Sequence, residues 1–232
     1  MSNQDKKFIY SGPSWALQSF DTPQGREPNT TSLVQEWGLA HIAHNVSARG
    51  SDFDRQFAHF VATDLPIVYV MCEPLAVHNR SNSQKYHKFL DTYKNSWQDL
   101  WLHRQELNQQ HMHKLANLPN RVAVIGAHSD VSDVPDEITV IDPSWQNYLR
   151  QLAGLDTGYN WGVEILHRHI QSTSAQWRNI RDRQLVNLVY EQYRVWETLQ
   201  EANLFCAVHP NRRATELYAQ HTLNSVLEFI GV

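Results

Sequence analysis

Short apolar runs alternate along this chain with longer stretches in which apolar residues recur at helical spacing. This alternation is typical of βαβ units on a mostly parallel sheet, because each strand is followed by a crossover helix that covers the sheet. The third and fourth runs are rich in Val and Ile, which indicates burial on both faces of a sheet. The five predicted strands are Lys7–Tyr10, Leu39–Val46, Pro66–Met71, Arg121–Ile125 and Glu137–Ile141.

Helical patterns lie between and after these strands. Thr31–Gly38 begins with capping residues and stops at a glycine, as a short helix does. Ser83–Leu118 and Trp177–Ala202 carry long apolar stripes and predict two long helices. A last helix follows Pro210, since proline is favoured in the first helical turn. Ser144–Ser174 predicts a short helix followed by an irregular segment.

The sequence shows no feature that divides the chain into separate domains. Its 232 residues show no repeat, low-complexity tract or Gly/Ser linker. We therefore predict a single domain over 1–232, with a helical insertion at about 83–118 and an irregular insertion at about 150–175.

Charge and cysteine usage exclude several classes of protein. The net charge is −4 and no Lys/Arg cluster forms a basic footprint, so we expect no nucleic-acid partner. Cys72 and Cys206 lie far apart, which favours a reducing compartment over a disulfide framework. The early apolar run Phe8–Tyr10 is too short for a signal peptide or a membrane span. We expect a cytoplasmic protein without a membrane partner.

Two segments carry residues suited to nucleophilic catalysis. Ser14 follows the first strand in a small-residue turn, and ligands of open α/β sheets bind at the carboxyl ends of strands. His209 lies in a loop before the last helix, where an imidazole can take the proton of a hydroxyl. Alternatively, Ser14 caps the following helix and His209 is an ordinary surface residue. Trp15 is suited either to the wall of a substrate pocket or to packing a helix on the sheet.

These segments resemble motif blocks of the SGNH (GDSL-like) hydrolases. The matching blocks, in the family's order and spacing, are Gly12-Pro13-Ser14, Asn45-Val46-Ser47-Ala48-Arg49-Gly50 and His209-Pro210. The resemblance implies a flavodoxin-like three-layer α/β/α sandwich with a five-stranded parallel sheet. The long inserted helix, Cys72-Glu73-Pro74 and Ile125-Gly126-Ala127-His128-Ser129-Asp130 are most similar to SGNH-like proteins of large tailed bacteriophages.

The resemblance also implies roles for individual residues. Ser14 takes the nucleophile position, His209 the base position, and the backbone N–H groups of Ser14 and Gly50 bind the oxyanion. The implied activity is that of a serine esterase acting on a small acyl ester, such as an O-acetyl group of a carbohydrate or metabolite. No cofactor is implied.

Three positions depart from the family pattern. Pro13 replaces the Asp of Gly-Asp-Ser, which removes a backbone N–H but no proton-transfer group. The oxyanion asparagine has no clear equivalent, because Gly126-Ala127-His128 comes one strand too late. Cys206 stands where the family has the aspartate that orients the imidazole, and a neutral thiol cannot fix the tautomer as a carboxylate does.

Two acids and a thiol are candidates for the missing roles. Asp142 and Glu73 lie at predicted strand ends, where each serves either as the orienting acid or as a structural acid that satisfies loop N–H groups. Cys206 is either a thiolate nucleophile or a small buried apolar residue.

No metal site is predicted from the histidine-rich segments. His111 and His113 face apart on a helix, as do His167 and His169 if their segment is helical. His41 and His44 would point to opposite faces of a strand. Their spacing matches no zinc signature.

Two further functions stand beside the esterase. One is a non-catalytic SGNH-like phage structural or interaction protein, with a copy of itself or a virion component as partner, found in the host cytoplasm or the virion. The other is a nucleotide- or phosphate-binding flavodoxin-like protein, which the absence of a Gly-x-Gly-x-x-Gly or Walker-type loop disfavours.

Overall fold

The computed structural model describes residues 5–17, 21–22, 25–26, 32–48, 53–71, 97–127, 131, 133–156, 183–206 and 209–232. Five strands form one sheet, and the helices lie along its two faces. The strands of the sheet are β1 (Phe8–Ser11), β2 (Ala43–Asn45), β3 (Ile67–Met71), β4 (Val122–Gly126) and β5 (Ile138–Asp142). The helices are α1 (Ser14–Leu17), α2 (Leu33–Glu36), α3 (Phe53–Phe60), α4 (Trp97–Ala116), α5 (Trp145–Leu152), α6 (Arg183–Glu201) and α7 (Arg212–Ile230).

The sheet is parallel throughout, in the order β2-β1-β3-β4-β5. This is the strand order of the flavodoxin-like doubly wound fold, in which the order reverses at the first strand. Ile9 pairs with Ile67, and Val68 with Ala123, so the strand ends carrying Ser11, Met71 and Gly126 share one edge. The predicted three-layer α/β/α sandwich with a five-stranded parallel sheet is therefore confirmed.

Alternate residues of the strands face two separate cores. On β1, Phe8 and Tyr10 pack with α1, α2, α5, α6 and α7, whereas Ile9 packs with α3 and α4. Val68 and Ile67 divide in the same way on β3. This period of two, with apolar side chains on both faces, is what a parallel sheet covered by helices requires.

Four of the five predicted strands agree with the structure to within the ends of each run, but Leu39–Val46 was predicted too long. Only Ala43–Asn45 is a strand. The chain before it turns, because the Ile42 and Ala43 N–H groups both donate to Leu39 O, at 3.0 Å each. Local hydrogen bonds therefore hold this apolar segment in a turn that follows α2.

The ends of the helices differ from those predicted. The last helix begins at Arg212 rather than at Pro210, because Asn211 is its N-cap and its side chain accepts the Ala214 N–H at 3.0 Å. Pro210 instead pairs with Phe205 in a short antiparallel hairpin, Phe205–Cys206 with His209–Pro210. A second two-stranded ribbon joins Asp21–Thr22 to Gly25–Arg26.

The two long helices are present over their described parts. α4 covers the end of the predicted Ser83–Leu118, and α6 covers most of Trp177–Ala202. The short helix predicted after Ser144 is α5. Residues 83–96 and 157–182 lie outside the described residues, as does most of the predicted irregular insertion.

Candidate active site

The turn after β1 is a close strand-to-helix connection. Gly12 has a φ of +155°, and a Cβ there would lie 2.6 Å from the Ala16 Cβ and 2.9 Å from the Val70 carbonyl oxygen. Only glycine fits this position without a shift of its neighbours. Pro13 is buried, and its carbonyl accepts the N–H groups of Ala16 at 3.0 Å and Leu17 at 3.2 Å, which starts α1.

Ser14 is the first residue of α1, at the carboxyl edge of the sheet. Pro13, and not Ser14, is the residue before the helix, because the Pro13 carbonyl accepts the first helical N–H groups. The backbone N–H of a residue in the first helical turn has no partner within the helix. The Ser14 N–H therefore has no acceptor within α1.

The hairpin that contains His209 packs against α1. Trp15 is completely buried, and its ring centroid lies 5.8 Å from that of Phe205 and 6.5 Å from that of His209. Trp145 of α5 packs edge-on against Trp15, with ring centroids 5.5 Å apart. The residue next to Ser14 thus contacts the segment that carries His209, although nearly the whole chain separates them in sequence.

His209 and Cys206 are direct partners in this hairpin. Residues opposite each other in an antiparallel pair have their Cβ atoms about 4.5–5.5 Å apart on the same face. His209 is 8% exposed, and Cys206 is half-buried. Cys206 therefore lies opposite His209 in the register of the hairpin.

Asp142 lies at the carboxyl end of β5, and both of its carboxylate oxygens have partners. Its Oδ1 accepts the Ser144 N–H at 2.8 Å, and its Oδ2 lies 3.0 Å from His221 Nε2. The His221 ring stacks on Tyr148, with centroids 4.3 Å apart. These contacts correspond to the structural alternative for Asp142, in which the acid satisfies a loop N–H and ties α7 to the sheet edge.

Several other predicted residues fall outside the described residues. They are Gly50, Glu73, His128, His167 and His169. His41 lies in the turn before β2, where its Nδ1 is 3.0 Å from Gly38 O, so His41 and His44 do not share a strand. Among the residues that the structure describes, no three His, Cys, Asp or Glu side chains converge as metal ligands.

Gln56 is a residue of this region that the sequence reasoning missed. It is 1% exposed, on the face of α3 that buries Phe53 and Phe60. Its Nε2 donates to Gly12 O at 3.3 Å, and its Oε1 accepts the Ser11 hydroxyl. A polar residue at the helical spacing of Phe53 and Phe60 was the available signal, because such a position on an amphipathic helix is normally apolar.

The structure is an α/β protein of flavodoxin-like topology, with Ser14 at the carboxyl edge of the sheet and the hairpin of His209 packed against Trp15 of α1. No protein-family model matches the chain, and neither does any curated protein. Among solved structures it is similar to the crystal structure of protein YxiM from Bacillus subtilis, at 12% identity and a TM-score of 0.43. The match covers 98% of this chain and 57% of that one, so the chain spans little more than half its length. In the part of the chain that is described, no helix has the length and hydropathy needed to cross a membrane.

Proposed function

We propose that this protein is a serine hydrolase that cleaves a small acyl ester, most simply an O-acetyl group of a carbohydrate or metabolite. Ser14 is the nucleophile and His209 the general base. The observation that carries the proposal is the 6.5 Å between the ring centroids of Trp15 and His209, since Trp15 directly follows Ser14. The position of Ser14 after β1 supports it, because α/β sheets bind ligands at this edge.

The reaction has two steps with balanced proton transfers. His209 accepts the Ser14 hydroxyl proton as Ser14 Oγ bonds to the acyl carbon, and the imidazolium then gives that proton to the departing alkoxide. Water next attacks the acyl-serine ester while His209 accepts a proton from it. The tetrahedral intermediate formed by this attack then breaks down, which returns the proton to Ser14 Oγ and releases the carboxylic acid.

The oxyanion formed in each step needs hydrogen-bond donors. The Ser14 N–H is one donor, and by resemblance to the SGNH hydrolases the Gly50 N–H is the second. The family's asparagine donor has no assigned residue in this chain. Loss of one such donor typically lowers the rate by about 10²–10³-fold, so we expect slow turnover.

The orientation of the imidazole is the weakest part of this machinery. Cys206 faces His209 in place of an aspartate, and a thiol does not stabilise an imidazolium as a carboxylate does. Asp142 and Glu73 remain the alternative acids. The contacts of Asp142 with Ser144 and His221 favour its structural role.

A second candidate function rests on Cys206 itself. A flavodoxin-like protein that had lost its triad aspartate would retain the scaffold without turnover, as in the non-catalytic phage structural or interaction protein. Its partner would be a second copy of the chain or a virion component, in the host cytoplasm or the virion. Activity at Ser14 separates this function from the esterase.

A fluorophosphonate probe tests the proposal directly, because it labels a serine only when that serine is activated. We expect labelling of the wild type and none of Ser14→Ala. Ser144→Ala is the matched control, since Ser144 also begins a helix after a strand, as the N-cap of α5. It should lose about 1 kcal/mol of stability and keep its labelling. Absence of wild-type labelling, under conditions that label an active esterase, would leave the non-catalytic function.

A further inference from the structure

Gln56 is placed to control the turn that carries Ser14. α3 lies on the face of the sheet opposite to α1, with Phe53 and Phe60 in the second core. From that face, the Gln56 carboxamide reaches the carboxyl end of β1. A buried amide is retained in such a place only when its polar atoms are satisfied, as they are here.

The chemistry of the contacts fixes the orientation of the carboxamide. Gly12 O can only accept, so the Gln56 atom facing it is the Nε2 donor, 3.3 Å away. The Oε1 atom then faces Ser11, whose hydroxyl must donate. Ser11 is completely buried, so water does not compete for either bond.

Gly12 O receives a second donor from another part of the chain. The Ala48 N–H lies 3.1 Å from it, in the segment that follows β2 and leads to Gly50. The peptide group between Gly12 and Pro13 has no N–H, because proline lacks one. Its carbonyl is therefore the only group by which hydrogen bonds can hold the plane of this peptide.

We infer that Gln56 is a positioning residue for Ser14, acting through the Gly12–Pro13 peptide. This inference rests on the proposed function. Gln56 and Ala48 hold the Gly12 carbonyl from two directions, and Ala16 and Val70 leave no space for a side chain at Gly12. Together they set the direction in which the chain enters α1 at Ser14. A displacement of about 1 Å in a reacting group can cost about 10²-fold in rate.

Three variants separate the bonds. Gln56→Glu keeps the acceptor for Ser11 but places an oxygen against Gly12 O. Gln56→Met removes both bonds at similar volume. Ser11→Ala removes one of the two anchors of the carboxamide with a minimal change in size, and it decides the question if the Gln56 variants do not fold.

Asn120→Asp is the matched control. Asn120 Nδ2 donates to Thr63 O at 2.7 Å and to Leu65 O at 3.0 Å, so this amide also braces a loop, ahead of β3. The same change from amide to carboxylate there should lower the melting temperature without changing hydrolysis. Any effect of Gln56→Glu beyond this control reports on Ser14.

The readout is Ser14-dependent hydrolysis of p-nitrophenyl acetate, with the fluorophosphonate labelling rate beside it. We expect Gln56→Glu and Gln56→Met to lower kcat about 10–100-fold with KM unchanged, since positioning acts on the transition state. Ser11→Ala should show a smaller loss of the same kind. Suppose that the wild type is active and labelled, and that the Gln56 and Ser11 variants have the same kcat as Asn120→Asp. This result would overturn the inference and leave the proposed function intact. A wild type that is neither labelled nor active overturns both.

Discussion

Cys206 and His209 face each other across a hairpin of two-residue strands, and the imidazole is buried beside Trp15. In the proposed triad, Cys206 therefore stands in place of the aspartate, and a neutral thiol does not stabilise an imidazolium as a carboxylate does. Because opposite residues lie about 4.5–5.5 Å apart at Cβ, an Asp side chain at 206 can reach the His209 ring.

Cys206→Asp should therefore raise the turnover of p-nitrophenyl acetate. In a serine protease, replacing the triad carboxylate by an amide lowers kcat about 10⁴-fold, so a gain of at least about tenfold is expected here. Cys206→Asn is the control, since it offers a similar shape without the charge and should give no gain. Equal turnover of Cys206→Asp and the wild type would show that another acid already orients His209 or that Ser14 is not at work.

Gly12→Ala should destabilise the protein strongly, because the new Cβ would lie 2.6 Å from the Ala16 Cβ and 2.9 Å from Val70 O at a φ of +155°. We expect a loss of about 3 kcal/mol or more from overpacking and backbone strain together. Gly38→Ala is the matched control, since Gly38 also has a positive φ, +72°, but has no atom within 4 Å of a built Cβ. That variant should lose only about 1–2 kcal/mol in chemical denaturation. Similar losses for the two variants would show that packing at Gly12 is not the cause.

Much of the fold could be predicted from the sequence, because central parallel strands are buried on both faces. The Val- and Ile-rich runs of β3 and β4 need no tertiary information to be recognised. The strand predicted at Leu39–Val46 was too long, because the apolar residues of a turn can have the same composition as a strand. Its hydrogen bonds to Leu39 O, not its hydropathy, decide its conformation.

The site was predictable only in part. Motif order predicts Ser14 and His209, and their roles stay a prediction. A two-residue strand has no periodicity, so the register that joins Cys206 to His209 cannot be read from the sequence. Gln56 shows a different limit. Its helical spacing marks a buried polar residue, yet its partners, Ser11 and Gly12, come from β1 and depend on how the layers pack.

Alkaline pH should destabilise the protein through its buried tyrosines. Burial raises the pKa of Tyr10 well above its usual value, and burial together with the nearby Asp142 carboxylate raises the pKa of Tyr218. The unfolded chain ionises these phenols near pH 10, so above that pH the folded state binds more protons than the unfolded state. Their contribution is therefore fully present below pH 10 and falls as pH rises, each by about 1.4 kcal/mol per pH unit.

Chemical denaturation between pH 8 and pH 11, followed by tyrosinate absorbance, checks this dependence. Tyr10→Phe is the informative variant: it loses the bond from Tyr10 Oη to Ala16 O, 3.1 Å, and should show a shallower fall at high pH. An identical slope in the variant and the wild type would contradict the role of Tyr10.

Trp37 and Thr222 should be energetically coupled. Trp37 Nε1 donates to Thr222 Oγ1 at 3.1 Å, and both residues are buried where α2 meets α7. A double-mutant cycle with Trp37→Phe and Thr222→Val should give a coupling of about 1 kcal/mol in the free energy of unfolding. Additive effects of the two substitutions would mean that the hydrogen bond contributes nothing beyond the separate packing of each side chain.

Asp142→Asn separates the two roles of the acid at the end of β5. An amide keeps an oxygen to accept the Ser144 N–H and gains an N–H that can donate to neutral His221 Nε2, so both contacts survive while the charge is lost. We expect unchanged hydrolysis of p-nitrophenyl acetate and a stability within about 1 kcal/mol of the wild type. Asp142→Ala should instead cost about 1–3 kcal/mol, because it leaves the buried Ser144 N–H unpaired.

His209→Asn is the reference variant for the kcat of Asp142→Asn. His209→Asn should abolish general-base catalysis, and an orienting acid should matter nearly as much, since the residues of a catalytic triad act as a unit. A fall in kcat for Asp142→Asn that approaches the fall for His209→Asn, at unchanged melting temperature, would make Asp142 the orienting acid. Because the contacts of the Asp142 carboxylate are with Ser144 and His221, we expect the two variants to differ.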